Sequence, residues 1–220
     1  MWCIPTITAE FKKKMLDVLE VYERPYNPDY PVVCVDEKLT QLIKDIRASL
    51  SIKAAQPRKI DYEYKRNGTC YIFVAVEPKA GKRSVRVTRR RTKKDFASFI
   101  KYLVLHVYKR AKKIILVEDN LNTHNKTALI ETFGEREGKK LARKIEWHFT
   151  PKHASWLDQA EIEIHSLEEQ CLDRRIPDFH TMQAEVAACA RRRNRDKCGI
   201  TWQFTRKKAK QKFQIGEKSY

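Results

Sequence analysis

The chain has 220 residues, 42% of them hydrophobic, and is long enough to bury one core of ordinary domain size. Its 46 lysines and arginines against 28 acidic residues give a formal charge of +18, which points to a polyanionic partner, either nucleic acid or an acidic membrane surface. No apolar run approaches the roughly 20 residues of a membrane span, the first residues contain no signal-peptide core, and the six cysteines form no CxxC pair. These features argue against a membrane protein, a zinc cage and a disulfide framework, and indicate a reducing cytoplasm.

The first predicted element is a helix over residues 8–22, where apolar residues recur at helical spacing on one face. They are Phe11, Met15, Val18 and Tyr22. Residues 24–31 carry three prolines, which end the helix because proline lacks the backbone N–H that a helix interior needs. The segment predicts a rigid connector.

Two later apolar runs end in carboxylates. One precedes Asp36, and the other, residues 114–117, precedes Glu118 and Asp119. An uninterrupted apolar run predicts a strand that is buried on both faces, and open α/β sheets place their chemistry at the carboxyl ends of such strands. If the two strands are parallel neighbours, their terminal carboxylates repel each other unless a cation lies between them, which favours a divalent-metal site. The alternative is that Asp119 or Asn120 caps the next helix.

Residues 32–88 are predicted to form three antiparallel strands, with a long excursion between the first and the second. The second strand is predicted over 68–77 and the third over 84–88, with turn signals between them. Within the excursion, three apolar residues at helical spacing favour a short helical piece. They are Leu42, Ile46 and Leu50.

A helix is predicted over residues 93–113, because its apolar residues fall on one face. They are Phe96, Ile100, Leu103 and Val107. Thr92 is the predicted N-cap, and Asp95, three residues on, completes a variant of the capping box. Beyond the second buried strand, residues 126–133 and a piece ending near Lys144 are predicted as helices around a glycine-flanked turn, and 145–149 as a strand.

The last predicted helix begins at Trp156, after a polar loop at residues 150–155. Its core stripe is Trp156, Ala160, Ile164, Leu167 and Cys171. Glu161 and Glu163 flank this stripe on opposite sides, because residues two apart on a helix do not share a face. Periodicity leaves open which of the two glutamates faces the strand-end carboxylates.

Basic residues are concentrated in two segments. Residues 79–113 hold fourteen lysines and arginines with a single acid, and residues 189–212 hold ten with a single acid. A solvated helix face is the simpler explanation of a charge run, but the near absence of acids favours contact with phosphates. Arg89, Arg90 and Arg91 lie in a predicted loop beside the sheet, where they could bind a DNA backbone.

The order of these elements is that of a ribonuclease-H-like fold, and several motifs together resemble one family. They read VVCVDEK at 32–38, VEDNLNTH at 117–124, HFTPKHASWLDQAEIE at 148–163 and CLDRRIPD at 171–178. These motifs, with the opening MWCIP, look like those of DDE transposases of bacterial insertion sequences in the mariner-like superfamily. The resemblance implies a mixed five-stranded sheet flanked by helices, and it covers nearly the whole chain.

By this resemblance the catalytic and metal-binding triad is Asp36, Asp119 and Glu161. Glu161 is preferred to Glu163 because it lies four residues after Leu157, at the position of the family's acid. The family usually has Asn where this chain has Asp158, so an extra negative charge is expected beside the site. The chemistry implied is metal-dependent cleavage and transfer of DNA strands by two Mg²⁺ or Mn²⁺ ions about 3.5–4 Å apart, without a covalent protein intermediate.

Further residues are expected to contact DNA. They are Arg89, Arg90, Arg91, Lys93, Lys94, His124, Lys152 and His153. For His124, helix capping is an equal alternative. Trp156 is interpreted as a core anchor rather than a platform for base stacking, and Cys34 and Cys70 as core residues of strands.

Three regions are expected: a linker helix and connector at 1–30, the catalytic domain at 31–175, and a basic C-terminal helix and tail at 176–220. The family's helix-turn-helix modules normally precede the MWCIP segment, so poor recognition of element ends is expected without them. The partners implied are transposon-end and target DNA, with a homodimer on DNA, no membrane, and a bacterial, nucleoid-associated location. Two alternatives remain, a non-catalytic DNA-binding remnant that inhibits full-length transposase and a stand-alone structure-selective nuclease.

Overall fold

The structure is a computed structural model and describes residues 7–47, 61–119 and 125–215. It contains one mixed five-stranded sheet with the spatial order β3-β2-β1-β4-β5. The strands are β1 (Val32–Asp45), β2 (Tyr64–Glu77), β3 (Lys82–Thr88), β4 (Ile114–Glu118) and β5 (Ile145–Phe149). β2 pairs antiparallel to both β1 and β3, whereas β1, β4 and β5 are parallel. The predicted mixed sheet is therefore present.

Helices cover both faces of the sheet. They are α1 (Ala9–Glu23), α2 (Lys93–Tyr102), α3 (Lys126–Arg143), α4 (Gln159–Leu167), α5 (Phe179–Arg195) and α6 (Arg206–Lys212). The Thr92–Asp95 capping box predicted at the start of α2 is confirmed, with Asp95 N–H donating to Thr92 Oγ1 and Thr92 N–H to Asp95 Oδ2. No helix among the described residues is long and apolar enough to cross a bilayer.

The two faces of the central strands bury separate apolar clusters, because successive side chains of a strand point to opposite faces. Val35 and Leu116 pack on one face with α2 and α3. Cys34 and Val117 pack on the other, with residues of α1, α6 and the start of α4. Cys34 and Cys70 are fully buried, which confirms their interpretation as core residues.

β1 is much longer than predicted. It continues through Asp45, paired with β2 as far as Tyr64, so the helical piece predicted around Leu42 and Ile46 is wrong. The spacing of those apolar residues suits a helix, but the residues around them, Gln41 and Ile43 to Asp45, pair with β2 instead. Leu50 lies outside the described residues.

Helix α2 is shorter than predicted. It gives way to a π-helical segment, Leu103–Val107, in which Tyr108 N–H donates to Leu103 O at 2.8 Å. The chain then turns, because the N–H groups of Lys112 and Lys113 donate to Asp29 O before β4 begins. Periodicity does not detect these contacts with the proline-rich connector, which hold the chain between the end of the helix and β4.

The region before α4 also differs from prediction. Ser155–Leu157 form a 3₁₀ turn, and α4 begins only at Gln159. Trp156 is 47% exposed, so its assignment to the core stripe is wrong, whereas Ala160, Ile164, Leu167 and Cys171 are buried. The apolar spacing continues about one turn beyond the amino-terminal end of the helix itself.

Candidate active site

Asp36 and Asp119 lie at the same edge and on the same face of the sheet. Val35 pairs with Glu118 in the parallel ladder of β1 and β4, so the two aspartates follow the last paired residues. By alternation Asp36 shares the face of Cys34, and Asp119 shares the face of Val117. That is the face against which the start of α4 packs.

Helix α4 brings Glu161 to this edge. Its first turn is fixed by Leu157 and Ala160, which are buried in the same cluster as Cys34 and Val117. Asp158 is the N-cap and accepts a hydrogen bond from Ala160 N–H at 2.8 Å. Glu161 is exposed, in the first turn of the helix.

The electrostatics of Asp36 reflect the other acids at this edge of the sheet. Burial, together with the negative charges of Glu37, Glu161 and Asp119, raises the pKa of Asp36 to about 7 against one stabilising hydrogen bond. That bond is donated by Glu37 N–H to Asp36 Oδ1 at 2.7 Å. A carboxylate that is short of water and surrounded by like charges has a strong affinity for a proton or a cation.

Two further carboxyl groups border the site from the protein interior. Asp158 and Glu118 are 1% and 0% exposed, and burial raises both pKa values well above the usual range, with neighbouring carboxylates adding to the effect. The neutral forms are therefore favoured, and the extra negative charge expected at Asp158 is not. Glu118 was missed as a site residue, and its place beside Asp119 in the motif was the available signal.

Glu163 points to a different partner. Its carboxylate accepts two hydrogen bonds from Arg193, at 2.9 and 3.0 Å, and lies 2.9 Å from Arg83 Nε in an ion-pair contact that is not aligned for a hydrogen bond. The side chain is 3% exposed. We name Glu163, Arg83 and Arg193 the buried ion cluster. Both charges that compensate Glu163 come from β3 and α5, away from Asp36.

The donor set of the site suits a hard divalent cation, since Asp36, Asp119 and Glu161 offer only carboxylate oxygens. Two buried carboxyl groups near this edge also have acceptors without a partner among the described residues, namely both oxygens of Glu118 and Oδ2 of Asp158. Across the described ranges, however, no three His, Cys, Asp or Glu side chains converge closely enough to hold a metal ion. The residues fit Mg²⁺ or Mn²⁺ by chemistry, and their side chains are not gathered into a ligand cage.

Comparison of the sequence with known families identifies the family of the chain. The family model described as DDE superfamily endonuclease matches residues 31–183. The chain belongs to this superfamily. The match spans both strand-end aspartates and all of α4. Among curated proteins, none matches the chain.

Solved structures of Mos1 mariner transposase share the fold of this DDE chain. The paired end complex with Mn has a TM-score of 0.55 at 12% identity, covering 90% of this chain and 60% of that one. The Strand Transfer Complex has a TM-score of 0.51 at 12% identity, covering 92% and 66%. The paired-end complex with left transposon end has a TM-score of 0.50 at 13% identity, covering 90% and 62%.

At these identities the likeness establishes the fold, a ribonuclease-H-like mixed sheet flanked by helices, as predicted. The chain spans less than two thirds of the length of the Mos1 chains that it matches.

Three of the predicted DNA-contact residues of this DDE chain have partners within the protein. Arg89 lies over the ring of Phe179 at 4.6 Å. Arg91 forms a 2.6 Å ion pair with Glu37, the neighbour of Asp36, and Lys93 forms one of 3.0 Å with Glu131. Arg91 thereby neutralises a carboxylate beside the site, a role that the arginine run did not suggest.

The other predicted contacts are exposed or lie outside the described residues. Arg90 and Lys94 are exposed in and after the loop that follows β3. Lys152 and His153 are exposed in the loop between β5 and α4, where His153 has a left-handed φ of 62°. His124, like Asn120, is outside the described residues, and the cap of α3 is Asn125.

Proposed function

We propose that this chain is a transposase catalytic domain that cleaves and joins DNA strands of an insertion sequence in a metal-dependent reaction. The observation that supports the proposal is that three elements, each carrying one acid, come together at one edge of the sheet. Asp36 and Asp119 end neighbouring parallel strands on one face, and Glu161 begins the helix packed there, close enough to raise the pKa of Asp36. Costly like-charge neighbours of this kind are typical of sites that bind a cation.

The Mos1 structures support the substrate class. They are described as a paired end complex with Mn, a Strand Transfer Complex and a complex with left transposon end. We extend these features to this chain by analogy of fold and family. Its DNA partners are then transposon ends and target DNA, bound as a homodimer, and residues 31–175 form the catalytic domain.

In the proposed reaction Asp36, Asp119 and Glu161 would hold two Mg²⁺ or Mn²⁺ ions. The ions would supply activation of the attacking oxygen, from water or a 3′-hydroxyl, and stabilisation of the leaving oxygen. The protein's part is positional. Asp158 caps α4 and Arg91 neutralises Glu37, so both help to keep the charge at the site on the three ligating acids.

The decisive experiment is cleavage and joining of a supercoiled plasmid in Mg²⁺, Mn²⁺ or EDTA. Wild type is compared with Asp36→Asn, Asp119→Asn and Glu161→Gln. Glu169→Gln is the matched control, because Glu169 is an exposed glutamate on the π-helical continuation of α4. We expect metal-dependent nicking that is lost in the three site variants and retained in the control.

Two outcomes would change the assignment. Nicking that persists in the Asp119→Asn variant places the active site elsewhere. Absence of nicking in wild type, with salt-sensitive DNA binding intact, favours a DNA-binding chain that inhibits an intact transposase. Urea unfolding of every variant separates lost chemistry from lost folding.

A further inference from the structure

A large aromatic ring lies open to solvent at the edge of the candidate site. Trp156 is 47% exposed and stands in the 3₁₀ turn, two residues before Asp158. Its ring meets that of Phe204 in a T-shaped contact with centroids 5.5 Å apart. Such a contact covers the face of only one of the two rings, and the exposed surface of Trp156 remains available to a partner.

The C-terminal segment adds positive charge next to this ring. Residues 197–215 contain six lysines and arginines and no aspartate or glutamate. Arg206 forms ion pairs within the protein, with Glu20 and Glu23 of α1. Lys207, Lys208 and Lys212 are exposed and form no ion pair with any acid in the described ranges.

The ring is connected to the lysine-bearing helix α6 through Phe204. Phe204 contacts Trp156 and immediately precedes Thr205, the N-cap of α6. Lys208 Nζ donates to Gln203 O at 2.9 Å, so its charge is held beside Phe204. Lys212 lies one turn further along the same side of α6, because residues four apart on a helix are neighbours.

The opposite side of α6 holds this surface against the protein. Ala209 is fully buried, and the ring of Phe213 packs on the ring of Phe11 in α1 with their centroids 6.3 Å apart. The lysines are therefore fixed relative to α4 rather than carried on a free tail. We name Trp156, Phe204, Lys207, Lys208 and Lys212 the aromatic–lysine track.

We propose that the aromatic–lysine track binds the DNA strand that adjoins the scissile phosphate, with an unpaired base stacked on Trp156 and the following phosphates along the three lysines. The inference rests on the proposed function for the identity of the polyanion. Aromatic faces beside a lysine row match a single strand in particular, because duplex bases are already stacked on one another. The binding is expected to be independent of sequence, since every base offers a π-face and every phosphate a charge.

The stacking is tested with single-stranded oligonucleotides that carry 2-aminopurine, by fluorescence and anisotropy. We expect Trp156→Ala to weaken single-strand binding about tenfold or more and to abolish the fluorescence change, whereas Trp156→Phe retains both. The duplex of the same sequence is the internal comparison, and its binding should change little. Equal loss for single strand and duplex, or no loss for either, would overturn the stacking.

The phosphate contacts are tested by salt dependence. Replacing Lys207, Lys208 and Lys212 with Gln should reduce the slope of log K against log [salt] for single strands by about 2, roughly 0.7 for each phosphate that is no longer neutralised. The matched control replaces Lys109, Arg110 and Lys113, three exposed cations that precede β4 at the other end of the sheet. An equal reduction in both triple variants means that general charge, not the track, governs binding, and it rejects the proposal.

The plasmid assay keeps this inference separate from the proposed function. If wild type nicks DNA and all track variants bind single strands as wild type does, the track is wrong and the catalytic assignment stands. If no condition gives nicking but the track variants alone lose single-strand affinity, the track stands and the strand-cleavage proposal fails. Circular dichroism and urea unfolding establish that each variant is folded.

Discussion

At the scale of single residues, the main property of the site is the reduced hydration of its carboxylates. Asp36 has a pKa of about 7 because burial removes hydration from its charged form, and Glu37, Glu161 and Asp119 repel the charge that remains. A metal ion and a proton therefore compete for the same group near neutral pH. This competition makes metal binding dependent on pH.

We predict that the apparent affinity for Mn²⁺ rises about tenfold per pH unit below pH 7 and levels off above it, as one proton leaves Asp36 on binding. Calorimetry in buffers of different ionisation enthalpy measures the proton release directly. Asp36→Asn should bind Mn²⁺ weakly and without this pH dependence. Wild-type affinity that is constant across pH 7 would contradict the prediction.

The raised pKa of Asp36 also makes the stability of the metal-free protein depend on pH. The pKa of Asp36 is raised in the folded state, so between the ordinary value of 3.8 and about 7 the native state binds the additional proton. The free energy of unfolding should therefore fall as pH rises through this window. Subtracting the pH dependence of the Asp36→Asn variant removes the contribution of the other groups. Saturating Mn²⁺ should remove this decline.

Asp158 is both the N-cap of α4 and a buried acid. Its Oδ1 caps α4, and burial with nearby acids favours the neutral acid, so an amide of the same shape should replace it. We expect Asp158→Asn to change the free energy of unfolding by less than about 0.5 kcal/mol, and Asp158→Ala to lower it by about 1 kcal/mol through loss of the cap. Urea titration distinguishes the two variants, and a strongly destabilised Asp158→Asn would show that the ionised form is required.

At the scale of elements, α4 is fixed at its start and at its middle. Its start is held by the Asp158 cap and by Leu157 and Ala160 in the core. Its middle is held by the buried ion cluster, in which Glu163 joins β3 and α5 through Arg83 and Arg193. The rotation of the helix, and with it the direction of Glu161, follows from these contacts.

We predict that Glu163→Ala lowers the free energy of unfolding by about 3–5 kcal/mol, because it leaves the buried Arg83 and the partly buried Arg193 without their shared carboxylate. Glu169→Ala serves as the control. Glu169 is exposed and pairs only with His165 among the described residues, so its removal should cost less than about 0.5 kcal/mol. Equal effects in urea unfolding would mean that the cluster does not anchor α4.

At the scale of the whole molecule, the C-terminal segment returns across the protein to cover α1. Arg206 pairs with Glu20 and Glu23, and Ala209 is buried against the helix. Ion pairs on the surface add little, so Ala209 and the Phe11–Phe213 contact should supply most of the attachment. Helix α6 therefore packs on the same apolar cluster as the start of α4.

We expect Ala209→Arg to release α6 and to accelerate tryptic cleavage at Lys207, Lys208, Lys210 and Lys212. Gln211→Arg introduces the same side chain on the exposed side of α6 and should leave the cleavage rate close to that of wild type. Because each variant adds one tryptic site, cleavage is scored by mass spectrometry at the four native lysines. Equal rates in both variants would show that α6 does not protect these lysines by docking.

Much of the sheet and two of the three acids could be predicted from the sequence, because their signals are local. An unbroken apolar run marks a buried strand, and the acid that ends it must lie at the strand's carboxyl edge. These signals put Asp36 and Asp119 at the carboxyl ends of two buried strands, and the parallel pairing of β1 with β4, which the metal-site hypothesis required as a condition, is present. The capping box at Thr92 was equally local, since its two partners are three residues apart.

Contacts between distant segments decided the rest. Periodicity could not separate Glu161 from Glu163, because the distinction depends on Arg83 and Arg193, which come from other elements. The length of β1 was set by its ladder with β2, and the exposure of Trp156 by a late start of α4.

The sequence by itself determined which residues can carry the chemistry, since apolar runs and the acids that end them are written along the chain. Only the tertiary structure decided which acids lie at one edge of the sheet, which have raised pKa values and which are bound by arginine. Those properties depend on burial and on charges brought from far along the sequence. Both depend on the packing of separate elements, which no local pattern encodes.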